Sequence, residues 1–165
     1  MKKIILLVII AISFSSCEKD DVCSDDTTPK LVIEFFDITN PSNPKNVVNL
    51  KVKEVGQANP YFTFPNENTI AIPLRITGIT TKYSFILNNA DTTNANEDFL
   101  EFNYTTQNVY VSRACGYKTI FELNNDTSGV IKTDAETPDG LWMQNVVKVT
   151  NSITTENETH LKIYF

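Results

Sequence analysis

The chain has 165 residues, 41% of them hydrophobic and 21% charged, with 14 basic residues against 20 acidic ones and a net charge of −6. That length suits one domain with a core of its own, and the negative charge repels nucleic acid and anionic lipid headgroups. Five glycines and one histidine leave few parts for phosphate-cradling loops, zinc centres or His-based nucleophilic catalysis.

At the N-terminus, Lys2 and Lys3 precede an uninterrupted apolar run from Ile4 to Ile12, and Ser13-Phe14-Ser15-Ser16 brings small residues up to Cys17. The run is nine residues, far short of the roughly 20 that a bilayer-spanning helix needs, so it reads as a signal peptide that is removed. The pattern resembles the bacterial lipoprotein signal, with Phe14 where Leu is commoner. The resemblance implies cleavage before Cys17 and acyl chains on that cysteine. The other reading is an ordinary secretory signal followed by a structural cysteine. Cysteine arithmetic favours lipidation: the three are Cys17, Cys23 and Cys115, and lipidating one leaves an even pair. In an oxidising compartment Cys23 and Cys115 are expected to close to a disulfide, the alternative being separate thiols with Cys115 buried.

Removing residues 1–16 leaves 149 residues, with 12 basic against 20 acidic, a net charge of −8. Glu18-Lys19-Asp20-Asp21 follows the cysteine. It resembles the tract in lipoproteins of the Bacteroidetes that directs export to the outer face of the outer membrane, which would make Lys19, Asp20 and Asp21 an export signal. The alternative is a solvated tether with a periplasm-facing domain. Residues 17–30 are read as this acidic tether and residues 31–165 as a single domain.

From Pro29 onward the period is two. Leu31, Ile33 and Phe35 share one face; Val48, Leu50 and Val52 alternate with Asn49, Lys51 and Lys53; Ile70, Ile72, Leu74 and Ile76 line up likewise. Pro73 cannot donate a ladder hydrogen bond, which places that strand at an edge. Further strands are predicted in Tyr83 to Leu87, Phe99 to Tyr104, Asn108 to Ser112, Tyr117 to Leu123, Trp142 to Val149 and Leu161 to Phe165. The linkers are turn-rich, and Asn124 to Gly140 reads as a 17-residue loop, longer than is usual without a function or mobility. The expected fold is all-β, an antiparallel sandwich, immunoglobulin-like ahead of a jelly roll.

Three stretches carry a more specific resemblance: Cys17 to Cys23, Thr28 to Ile33, and Val111-Ser112-Arg113-Ala114-Cys115-Gly116-Tyr117-Lys118. With Thr137 to Trp142 and His160 to Phe165 they look like small flavobacterial lipoproteins of unknown function. The resemblance spans the chain; it implies the location and the two-cysteine pattern and supplies no mechanism.

No catalytic residue, cofactor or metal site is expected. His160 is read as a partly exposed strand residue, and no Gly-x-Ser-x-Gly elbow exists. Paired carboxylates remain the one catalytic scheme the composition allows. The loop Asn88 to Asp98 has oxygen atoms calcium would accept but lacks EF-hand spacing, so turn chemistry is preferred. Asp134, Glu136 and Asp139 read as solvated charges. Arg113, Tyr117, Lys118 and Trp142 are either a binding patch or, as preferred, core aromatics with surface bases. Asp26-Thr27-Thr28 and Asp91-Thr92-Thr93 resemble an O-glycosylation motif of exported Bacteroidetes proteins, which makes Thr27 and Thr92 candidate acceptors. The functional expectation is a non-enzymatic lipoprotein at the outer membrane that binds an envelope protein or glycan, with a glycan-binding module or a small carboxylate-dependent hydrolase as alternatives.

Overall fold

The computed structural model describes Cys23 and residues 27–57, 61–91 and 93–165. Cys17, Lys19, Asp20, Asp21 and Thr92 lie outside them. The described residues form eleven strands: β1 Leu31–Phe36, β2 Val47–Glu54, β3 Tyr61–Glu67, β4 Thr69–Ile72, β5 Thr80–Leu87, β6 Asn96–Ser112, β7 Gly116–Leu123, β8 Val130–Asp134, β9 Asn145–Lys148, β10 Ser152–Ile153 and β11 Leu161–Tyr164. They make two sheets, one ordered β4-β1-β11-β9, the other β10-β7-β6-β5-β2-β3 with β8 also on β6. The fold is all-β. One pair departs from the antiparallel expectation: β1 runs parallel to β11, with Ile33 opposite Leu161 and Phe36 opposite Tyr164.

Both sheets contribute to one core. Leu31, Ile33 and Phe35 are 0% exposed, as their alternation predicts, and they join Ile70, Ile72, Leu161 and Ile163 from the same sheet. Leu50, Val52, Tyr83, Phe85, Leu100, Phe102, Tyr104, Phe121 and Leu123 join it from the second sheet. Each large side chain buried this way contributes about 1.5–3 kcal/mol. The buried phenols keep partners: Tyr83 donates to the Pro73 carbonyl at 2.6 Å, and Tyr104 to the Arg75 carbonyl at 2.9 Å.

Several strand assignments change, each for a local reason. In β2 the inward residue is Val47, with Val48 at 45% exposure, because Asn49 takes a left-handed conformation (φ 49°) and turns the faces over; asparagine tolerates this better than most side chains. β4 lies at a sheet edge, as expected, but it stops at Ile72, so Pro73, Leu74 and Ile76 lie outside it and Pro73 marks its end instead of sitting within it. β3 was not expected, since Pro65 interrupts its alternation; the strand forms at a sheet edge, where proline costs no ladder bond. The segment Trp142 to Val149 pairs only over β9. Asn108 to Ser112 joins Phe99 to Tyr104 in a single 17-residue strand, β6.

The predicted 17-residue loop holds a strand: β8 takes residues 130–134 of it and continues β7 along the same edge of β6, with residues 124–129 leaving that edge between the two. The Asn103 N–H donates to the Gly129 carbonyl and the Asn124 N–H to the Asn103 carbonyl, both at 3.0 Å, closing the gap. A Cβ on Gly129 would stand 2.1 Å from the Asn124 carbonyl oxygen, so glycine is required there.

Candidate functional site

Beyond Tyr104, β6 and β7 continue as a ribbon whose residues Thr105, Thr106, Gln107 and Asn108 are exposed. Tyr110 and Tyr117 face each other across its ladder and meet edge to face, ring centroids 5.4 Å apart. They are 55% and 71% exposed. Tyr110 was not singled out in the sequence; its sign was its place five residues before Cys115, with Tyr117 two residues after it. The expectation of core aromatics holds for Trp142, which is buried with Nε1 donating to the Phe85 carbonyl at 3.2 Å. It fails for Tyr117. That residue sits past the end of the core, where no opposing side chain covers it enough to bury it.

The turn of this ribbon holds Arg113, Ala114 and Cys115, followed by Gly116 at φ 69°, a conformation that costs glycine little. Cys115 is disulfide-bonded to Cys23, with 4.8 Å between Cα atoms and a separation of 92 in sequence. Nearby, the Thr119 N–H donates to Thr28 Oγ1 at 3.0 Å, so the segment before β1 lies against β7. The chain before β1 is thus held to the ribbon at two points. Lys118 Nζ reaches the Thr154 carbonyl at 3.5 Å, and Arg113 is exposed. Thr27 is exposed beside this segment.

The other end of β6 carries the most perturbed acid. Asp98 is fully buried, its Oδ2 accepting the Met143 N–H at 2.7 Å and its Oδ1 unpartnered. Burial pushes its carboxyl up to about 6, the Met143 bond and Lys132 opposing, with Asp134 and Asp139 adding to the rise. Lys132 Nζ also donates to the Met143 and Gln144 carbonyls, at 2.6 and 2.9 Å. Asp98 and Lys132 therefore fasten the segment that buries Trp142 and Met143 into the core. A groove lined by Glu97, Phe99, Glu136 and Asp139 lies nearby, but Asp98 alternates with Glu97 and Phe99 and so points away from it. The perturbed carboxyl and the groove do not form one site.

The remaining candidates resolve into local structure. His160 is buried, correcting its expected exposure: it precedes β11, and its Nδ1 accepts the Val32 N–H at 2.9 Å while its backbone N–H donates to the Val32 carbonyl at 3.0 Å. Burial lowers its pKa from the ordinary 6.5, with Glu158, the Thr155 backbone and Glu156 acting the other way. Asp91 closes a turn by accepting from the Thr93 N–H at 2.9 Å and the Asn94 side chain, which hold its carboxyl below the usual range. Asp134 accepts the Ala135 and Gly140 N–H groups at 2.8 and 3.2 Å. No group of three or more His, Cys, Asp or Glu among the described residues is placed to hold a metal ion.

No curated protein and no solved structure matches the chain. One family model does, over residues 49–165, which takes in the sandwich from β2 onward together with the whole ribbon. On that match the chain belongs to the family of unknown function DUF6452.

Proposed function

We propose that the protein is a lipoprotein of the outer membrane, acylated at Cys17 and non-enzymatic, serving as a binding or accessory subunit for an envelope partner. The observation that carries this reading is the Cys23–Cys115 disulfide. It pairs two of the three cysteines of the chain, and Cys17 is left at the end of an apolar signal where lipidation chemistry needs a thiol. Two or three acyl chains, each contributing about 0.8 kcal/mol per buried methylene, hold a protein firmly where one binds only reversibly. Lys19, Asp20 and Asp21 favour display on the cell surface, with a periplasm-facing domain as the alternative.

The finer fold reading, immunoglobulin-like ahead of jelly roll, draws support from the unequal sheets, four strands against seven; a jelly roll divides eight strands between two sheets. A glycan-binding module calls for exposed aromatics in a row, and Tyr110 and Tyr117 make a single pair. The carboxylate hydrolase gains nothing from Asp98, which substrate cannot reach.

Cys17→Ser is expected to move the protein from the membrane pellet to the soluble fraction and to abolish labelling by a fatty-acid analogue. A variant that still pellets and labels as the parent does would refute the anchor.

A further inference from the structure

We propose that the tip of the β6–β7 ribbon is a membrane-contact surface, with Tyr110 and Tyr117 seated in the phosphate and ester zone of the bilayer that holds the lipid anchor. This rests on acylation of Cys17. Four observations on the molecule converge on it.

The first is reach. Cys17 and Cys23 are six residues apart, a span of at most about 22 Å when fully extended. Cys23 is covalently joined to Cys115 in the ribbon turn. The ribbon tip is therefore the part of the domain that the anchor holds within that distance of the lipid. The second is direction: the Thr119 N–H donates to Thr28 Oγ1, so the residues just before β1 lie against β7 in the same ribbon that holds Cys115.

The third is side-chain chemistry. Tyr110 and Tyr117 are among the most exposed large hydrophobic residues of the chain, at 55% and 71%. A phenol has an apolar body and a polar end, which is why tyrosine collects at the junction of hydrocarbon and headgroups. The fourth is charge. The sequence has 20 acidic residues, yet residues 102–121 contain none and include Arg113 and Lys118. The tether, residues 17–30, carries Glu18, Asp20, Asp21, Asp25 and Asp26 against Lys19 and Lys30, a net charge of −3, so near the phosphates Arg113 and Lys118 offset part of the tether charge and the tyrosines supply the contact. Tyr61 is also exposed, with Lys51 Nζ 3.7 Å from its ring centroid, but it lies on β3 at the far edge of the larger sheet, beyond β5 and β2 and away from the tethered ribbon, so reach and not side-chain chemistry separates the two places.

The test uses the acylated full-length protein, extracted in detergent and returned to vesicles of phosphatidylethanolamine and phosphatidylglycerol with brominated acyl chains, which quench a nearby indole. Tyr117→Trp and Tyr61→Trp are compared, the buried Trp142 contributing equally to both. The added emission of Tyr117→Trp is expected to fall at least about twofold on reconstitution, and that of Tyr61→Trp to stay nearly unchanged. Equal quenching at the two positions, or none at 117, in protein that pellets with the vesicles would overturn the ribbon contact and leave the anchor standing. Protein that does not pellet with them at all would overturn the anchor, and the ribbon contact with it.

Discussion

Cys115→Ser is expected to lower the stability of the folded chain by about 4 kcal/mol. The Cys23–Cys115 bridge closes a loop across 92 residues, and a crosslink over such a length removes much of the freedom of the unfolded chain, about 4 to 5 kcal/mol in the loop-entropy description. The native side adds little compensation: the ribbon turn keeps its Ser112 to Cys115 hydrogen bond and its ladder whether or not the bridge is present. Urea unfolding of the parent and of Cys115→Ser measures the difference. Adding reductant is expected to bring the parent down to the variant and to leave the variant where it is. A difference below about 1 kcal/mol would mean that the unfolded chain is not constrained by the bridge.

The second large effect concerns pH. Burial raises the Asp98 carboxyl to about 6 in the folded protein against 3.8 in the unfolded chain. The folded state thus holds this proton more tightly. Its stabilising contribution is complete below the unfolded value and is lost as pH rises through about 6. The loss amounts to about 2 to 3 kcal/mol between pH 4 and pH 7. Asp98→Asn retains an oxygen to accept the Met143 N–H and cannot ionise, so it should gain on the parent by that amount over the same range. His160 works in the opposite sense: its lowered pKa makes stability fall as pH drops below 6.5. Because His160 is present in both proteins, subtracting their stabilities isolates Asp98. A difference that does not change with pH would show that Asp98 is solvated in the folded state.

What could be read from the sequence follows from how much of each strand is covered on one face only. β1 lies between β4 and β11 with one face on the core, and its alternation placed Leu31, Ile33 and Phe35 correctly. β6 reads as two pieces because Thr105 to Asn108 are all exposed, so no apolar period marks them although the ladder to β7 runs straight through. β8 is hidden for a related reason: none of its residues is fully buried, and its position comes from backbone bonds to β6. Asn49 shows a third limit, since one left-handed residue reverses the faces of a strand and leaves composition unchanged.

At the candidate site, the pairing of Cys23 with Cys115 was legible from the cysteine count taken together with the N-terminal signal that sets Cys17 apart. The exposure of Tyr117 was not, because whether an aromatic in a strand is core depends on what the other sheet covers. Asp98 was legible only as one carboxylate among many in a turn-rich loop. Its burial is a tertiary fact, made by Met143 and Lys132 closing over it from 45 and 34 residues away. The single His160 read as a surface residue since nothing local marks its bond to Val32, which joins the two ends of the chain.

The central claim is the lipid on Cys17, and the most direct test is the intact mass of the protein extracted by detergent from membranes. The expected mass is that of a chain beginning at Cys17, increased by its acyl groups and reduced by two hydrogens for the Cys23–Cys115 bridge. A mass equal to the full 165-residue chain, or to a cleaved chain whose Cys17 bears no acyl group, would contradict it.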